Sequence, residues 1–298
     1  MSTSKLHAFG KLLWLRQAVT SLALALALAS IGVSQDALMD WKIGNMDWVS
    51  PAKERDRLIT DRPHVSEATS TVGKGHLQLE TGYTFFLDND GGVTTTRHSW
   101  PEPLLRWGMF ADWFELRLGT NYLVQNQSTG SGGRVRFSGA EDMLVAAKVA
   151  VVKQRGFLPD FTIFPQMKVP TGGSAFSSDQ TLPGVNFAYS WAVTPLIEIE
   201  CNTVFNRKLL DEDRSFYTEQ LQTINLEFDL SDRWLGFTEF LFYQPWSNKP
   251  TVPAEQYFHT GLQYFLTPDL QFDIHSAVGL NRAAENLAFT GCGMCVRW

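Results

Sequence analysis

The sequence predicts an all-β protein, a transmembrane antiparallel up-and-down β-barrel of about 12 strands. Three observations predict it. From Lys74 onward apolar and polar residues alternate in segments of about 10 residues, the length and dyad pattern of a membrane-spanning strand. The connections between these segments alternate short and long along the chain, as a barrel with short turns on one side of a bilayer and longer loops on the other requires. The chain also opens on an export signal, yet no later apolar run reaches the roughly 20 residues of a membrane helix. Hydrocarbon cannot satisfy backbone N–H and C=O groups, so such a chain spans only as a closed sheet without free edges.

The export signal is read from Lys5, Lys11 and Arg16, which precede the apolar run SLALALALASIGVS ending in small residues. This predicts a signal peptide over residues 1–34, with Ala29 or Ser34 as the last residue removed. Residues 35–73 carry a mixed charge patch around Lys53, Glu54, Arg55, Asp56 and Arg57, followed by a polar stretch containing Gly and Pro and no helical period. They read as a periplasmic N-terminal lead-in. Residues 74–298 then form the barrel.

Within the barrel, Leu77, Leu79, Tyr83, Phe85 and Leu87 alternate with Gln78, Glu80, Gly82 and Thr84. Phe114, Leu116, Leu118, Tyr122 and Val124 alternate with Glu115, Arg117, Gly119, Asn121 and Gln125. Met143, Val145, Ala147, Val149 and Val151 share a face opposite Asp142 and Lys148. Ile197 and Ile199 oppose Glu198 and Glu200, and Ile224, Leu226 and Phe228 oppose Asn225, Glu227 and Asp229. Phe272, Ile274, Val278 and Leu280 alternate with Gln271, Asp273, His275 and Asn281. The last strand ends on aromatic Trp298, as the final strands of outer-membrane barrels do, and is expected to engage the barrel-assembly machinery.

Short turns are expected at 110–112, 194–195, 231–233 and 266–269, with 153–160 somewhat longer. Longer polar links are expected at 88–97, 126–139, 171–183, 207–215, 246–254 and 281–285. The glycine-rich STGSGG at 128–133 lacks the GK[ST] ending of a phosphate loop and reads as a flexible external loop. Residues 171–183 are uncharged apart from Asp179 and read as a surface excursion, an inward constriction being the other reading.

Apolar side chains must then face lipid and ionic ones the lumen. The inward set is Glu80, Arg106, Glu115, Arg117, Asp142, Lys148, Lys168, Glu198, Glu200, Glu227, Asp229, Glu239, Asp273 and His275. Arg106 and Glu115 flank a short turn, which places them directly or diagonally opposite, within about 5 to 8 Å. The set reads either as a pore lining whose rings of charge set selectivity or as charges that pair across the lumen and stiffen a closed barrel. Acids outnumber bases in it, which favours cations or neutral solutes over anions. Tyr83, Trp107, Trp113, Tyr122, Tyr189, Trp191, Trp234, Tyr243, Tyr257, Tyr264 and Trp298 fall towards strand ends, where amphipathic rings suit the headgroup layer.

Other classes find little support. A net charge of −6 without a run of Lys and Arg gives no surface for nucleic acid. The 3 cysteines make no disulfide framework, since Cys201 is isolated and Cys292 and Cys295 point to opposite faces of one strand. No metal or cofactor motif is present. For an outer-membrane hydrolase, His98-Ser99 and His275-Ser276 are adjacent and therefore diverge, and GxSxG and HExxH are missing. Asp273 and His275 do share a face. The chain is read as a non-enzyme.

The stretch ITDRPHVSEATSTVGKGHLQLETGYTFF from Ile59, LLRWG at 104–108, ELRL at 115–118, AED before the AAK of 146–148, VPTG at 169–172, FLTPDLQ at 265–271 and VGLN at 278–281 resemble, in order, a family of outer-membrane transporters named for the meta pathway of phenol degradation. His64 stands where the family has aspartate, and Trp298 where phenylalanine is usual. The resemblance implies a porin-like barrel in the bacterial outer membrane, with lipid outside and small organic solutes, aromatic or hydrophobic ones among them, passing through passively. A plugged structural barrel without transport is the alternative.

Overall fold

The computed structural model describes residues 57–130, 132–210, 214–246 and 252–298. The signal peptide expected at 1–34 and the lead-in up to residue 56 lie outside the described residues. The strands are β1 (Leu77–Asp90), β2 (Val93–Ser99), β3 (Leu104–Trp107), β4 (Phe114–Gly119), β5 (Tyr122–Thr129), β6 (Arg134–Ala140), β7 (Met143–Val152), β8 (Asp160–Val169), β9 (Leu182–Thr194), β10 (Ile197–Leu209), β11 (Phe216–Asp229), β12 (Trp234–Trp246), β13 (Glu255–Thr267), β14 (Leu270–Gly279) and β15 (Ala288–Arg297). Every pairing is antiparallel, and β15 pairs back onto β1 from Gln78↔Arg297 to Leu87↔Ala288, which closes the sheet.

The closed ring runs β1-β3-β4-β7 and then β8 to β15 in sequence, giving the expected 12 strands. The remaining three lie beyond interruptions: β2 leads into β3, β4 into β5 and β6 into β7, and they pair in the order β1-β2-β5-β6. Between β2 and β3, Pro101 and Pro103 have no N–H to give the ladder, and the N–H of Gly82 bonds the carbonyl of Pro101 instead. The links expected at 88–97 and 126–139 are therefore largely strand, prolonging the wall as hairpins. The polar run of β2, VTTTRHS, and the QNQST of β5 offer no apolar alternation and hid them, whereas Val135 and Phe137 of β6 do alternate with Arg134, Arg136 and Ser138.

The pleat sorts side chains as expected. Ile224, Leu226, Phe240, Phe272, Ile274 and Val278 are exposed on the outside, while Arg106, Glu115, Lys148 and Glu239 have no exposed surface at all. The aromatic residues follow with one correction. Trp107, Trp113, Tyr122, Trp234 and Trp298 are exposed, but Tyr257 is buried and packs with Tyr243 against Val204, Leu221 and Leu241. These rings look inward, because Tyr243 and Tyr257 share the odd-numbered faces of Glu239 and His259.

A second correction concerns the lead-in. Residues 57–73 do not lie outside the barrel; they fill its interior. Leu58 N–H bonds the Pro268 carbonyl at 2.7 Å in the β13–β14 turn, and Gly75 N–H bonds the Gly108 carbonyl at 2.7 Å in the β3–β4 turn. Both ends of the segment thus sit at the short-turn end, while Ser66 between them reaches Thr223 and Glu239 at mid-strand. The chain enters the barrel, turns and returns to start β1.

Candidate functional site: the inserted segment and the lumen around it

The inserted segment has no ladder of its own, so its polar groups need partners from the wall. On the side of β1, β3, β4 and β7 the partner is a network of charges. Arg106 and Arg117 are directly opposite in the β3–β4 pairing, an unfavourable neighbour pair by itself. Glu115 lies diagonally and grips Arg106 in a fork, Nε to Oε1 at 2.7 Å and Nη2 to Oε2 at 3.0 Å. Arg106 Nη1 also reaches Glu80 at 3.0 Å. The inserted Asp61 completes the balance, with Oδ2 at 2.8 Å from Arg117 and 3.2 Å from Arg106, and Oδ1 at 3.3 Å from Lys148. Lys148 also donates to the carbonyls of Ala68 and Ser70, each at 2.9 Å. Burial alone would raise the pKa of Asp61, but Arg106, Lys148 and Arg117 outweigh it and hold the carboxyl well below the usual carboxylate range.

On the side of β10 to β14 the grip is different. Glu239 accepts the N–H groups of Val65 at 2.9 Å and Ser66 at 2.6 Å, together with the Ser66 hydroxyl at 2.5 Å. Behind it His259 Nδ1 lies 2.9 Å from Glu239, and His259 Nε2 lies 3.0 Å from His275 Nδ1. His64 Nε2 is 2.8 Å from Glu227 and 3.8 Å from Glu200. At the seam, Arg62 pairs with Glu102 at 2.9 Å and Asp273 at 3.5 Å. Its guanidinium rests where Gly82 and Gly293 face each other across β1 and β15, and a Cβ on either would come within 2.5 Å of it.

Of the residues expected to face the lumen, Glu80, Arg106, Glu115, Arg117 and Lys148 thus converge on Asp61, and Glu200, Glu227, Glu239, Asp273 and His275 gather on the opposite wall. Asp273 and His275 share a face as expected but do not pair: one meets Arg62, the other His259. Asp142 instead anchors residues 171–183, accepting from Gly172 N at 3.1 Å, Ser178 N at 2.8 Å and the hydroxyls of Ser177 and Ser178. That link folds back so that Phe176 and Ser178 line a cavity of about 330 Å³ with Gln166, Lys168 and Asn206. Residues 171–183 are thus tied to Asp142 and packed against Gly139 of β6, with Thr171, Ser174, Ala175 and Asp179 to Thr181 exposed. Lys168 is half exposed, 3.7 Å from Glu141. Glu198 lines a second cavity of about 330 Å³ at the short-turn end, and Asp229 pairs there with Arg57 at 2.6 Å.

Reading the strands alone missed Asp61, Arg62, His64, Ser66 and Glu67, which lie on the inserted segment, and His259 on β13. Phe258, Leu262, Tyr264 and Leu266 occupy the other face of β13, and that alternation was the available signal for an inward His259. An entirely polar inner face is also corrected. Val204, Leu221, Leu241 and Tyr257 make an apolar patch inside the barrel.

A closed 12-stranded antiparallel barrel, with apolar side chains outside and charged ones within, defines an outer-membrane β-barrel. Residues 60–298 match the family described as "Putative MetA-pathway of phenol degradation", and the chain belongs to that family. Among solved structures, an outer-membrane channel from Pseudomonas putida F1 has a TM-score of 0.56 at 9% identity, covering 77% of this chain and 98% of that one. The NanC porin has a TM-score of 0.44 at 16% identity, covering 74% and 98%. The transport unit of the autotransporter AIDA-I from Escherichia coli has a TM-score of 0.49 at 11% identity, covering 74% and 89%. No curated protein matches the sequence. The protein is a bacterial outer-membrane barrel.

Proposed function

We propose that the protein passes small organic solutes, aromatic and hydrophobic ones included, passively through its lumen, along a path controlled by the inserted segment. The carrying observation is a cavity at the long-link end of the lumen with an apolar patch beside it. An apolar patch of Val204, Leu221, Leu241 and Tyr257, packed against Val65 of the segment, adjoins a cavity of about 330 Å³ lined by Gln166, Lys168 and Asn206, Asn206 being one inward step beyond Val204 on β10. Small organic molecules with a polar handle suit such a chamber, where apolar wall supplies affinity and a few polar groups supply orientation. The cavity itself carries Lys168, Arg207 and Lys208 against Asp142, so it favours neutral or anionic solutes over cations, against the preference read from the whole inward set.

The test is conductance in planar bilayers, with competition by small aromatic solutes. The wild type is expected to give a small conductance that aromatic solutes reduce, and Arg106→Ala or Arg117→Ala to change it. The buried network around Asp61 favours a second reading, a barrel plugged for good. That reading expects silent bilayers, with both substitutions lowering only the unfolding midpoint.

A further inference from the structure

His64, Glu200 and Glu227 bring one imidazole nitrogen and two carboxylate oxygens to one point in the barrel, all within 4.8 Å of one another. They come from three separate stretches. Glu227 faces Glu198 in the β10–β11 ladder, so Glu200 lies one inward step farther along β10, opposite Asn225. His64 meets both from the inserted segment.

The imidazole is oriented as a ligand. Its Nδ1 lies 2.5 Å from the Ser66 carbonyl oxygen, which can only accept, so Nδ1 carries the proton. In the neutral ring Nε2 then turns its lone pair on Glu227 at 2.8 Å and Glu200 at 3.8 Å. Lone pair against carboxylate repels, so the point calls for positive charge: a second proton on the ring, or a metal cation. A ring N–H held by a backbone carbonyl is the outer arrangement that metal-bound histidines use.

Asn225 adds an independent observation. Its side chain is fully buried and donates to Glu200 Oε2 at 3.1 Å, while its Oδ1 has no partner. That N–H fixes the same Glu200 oxygen that faces His64 Nε2 at 3.8 Å. One imidazole and two carboxylates suit a first-row divalent ion, zinc above all, with a fourth position left for water. Ligand bonds of about 2.0–2.2 Å in a tetrahedron set donor atoms about 3.3 Å apart. The 2.8 Å contact would open by about half an ångström and the 3.8 Å contact would close by as much. Glu200 and Glu227 also line the cavity at the short-turn end beside Glu198, where Asp160 and Asp229 pair with Lys153 and Arg57, so the way in carries a net negative charge.

We propose that His64, Glu200 and Glu227, with Asn225 beside them, form a zinc-class divalent-cation site that fastens the inserted segment to β10 and β11. The proposal does not depend on what the barrel transports. The test is calorimetric titration of Zn²⁺ into the chelator-treated full chain in detergent micelles at neutral pH. One Zn²⁺ per chain is expected, with affinity at least about tenfold weaker in His64→Gln and Glu227→Gln and unchanged in His98→Ala, whose ring lies at the outer Tyr83 hydroxyl. Zinc is also expected to raise the unfolding midpoint of the wild type and not of His64→Gln. His64 is outside the strand ladder, so its variant can be checked for folding by the heat-dependent gel mobility of closed barrels. Absence of saturable binding, as an imidazolium–carboxylate pair alone would give, overturns the proposal. So does binding that survives both substitutions, or that falls equally with His98→Ala.

Discussion

On the wall formed by β1, β3, β4 and β7, the bases Arg106, Arg117 and Lys148 meet the acids Glu80 and Glu115, and Asp61 enters from the lumen to bond all three bases. On the wall formed by β10 to β14, the acids Glu200, Glu227 and Glu239 meet only imidazoles and hydrogen-bond donors. The first wall is balanced by full charges at short range. The second takes the segment's backbone N–H groups and a histidine, and leaves carboxylate in excess. The middle of the inserted chain is thus held by ion pairs on one side and by hydrogen bonds on the other, while Arg57 with Asp229 and Arg62 with Asp273 tie its start to the second wall as ion pairs. Breaking a buried ion pair strands a charge, whereas losing a charged hydrogen bond strands a dipole, so the two walls should fail differently.

The strongest way to break this comparison is Arg106→Ala, which leaves Glu115 and Glu80 buried without their forked partner. A loss of about 3–5 kcal/mol is expected, measured as the urea midpoint of the barrel in lipid vesicles. A midpoint within error of the wild type would show that the network is not holding the wall. Glu239→Gln probes the other wall and should cost less, about 1.5–3 kcal/mol for charge-assisted hydrogen bonds. Because it loosens Val65 and Ser66 rather than the strands, bilayer conductance is expected to rise more than the midpoint falls. Gly293→Ala sharpens the picture at the seam, where the new Cβ would lie 2.5 Å from Arg62 Nε. Overpacking of this kind costs about 1–3 kcal/mol, and Gly82→Ala should match it because both press on one guanidinium.

Smaller effects complete the series. The folded carboxyl of Asp61 titrates below its unfolded value, so its stabilisation is present above the unfolded pKa and is lost only as pH falls through the lower folded one. Lowering the pH from 7 to about 4 should therefore leave the Asp61 anchor in place, the unfolded carboxyl titrating near 3.9. A conductance step in that range that vanishes in Asp61→Asn would contradict the assignment. Least of all, Lys208→Ala removes a half-exposed pair with Glu219 at 3.3 Å and is expected to move the midpoint by under about 1 kcal/mol.

Much of the wall was legible before any coordinates. Ile274 and Leu226 belong outside and Glu115 and Lys148 inside because the pleat has a period of two and only one face can meet lipid. The diagonal contact of Arg106 with Glu115 followed from the short turn between their strands. Two kinds of residue escaped. Tyr257 and Leu241 are apolar yet inward, because alternation reports only that two faces differ, and an interior that holds apolar surface blurs the difference. The segment 57–73 escaped for another reason. It has no period, and its partners are remote, Asp61 lying 87 residues from Lys148 and Thr60 lying 211 from Gln271.

The sequence by itself determined a closed antiparallel cylinder, its strand number and the sidedness of its charges, since each rests on local alternation and on a bilayer's refusal to solvate the backbone. Only the tertiary structure decided that the cylinder is occupied by its own leading segment and which acid answers which base. Charge pairing inside a cylinder is a matter of distances across a lumen, and those arise only when strands far apart in the chain are brought round to face one another.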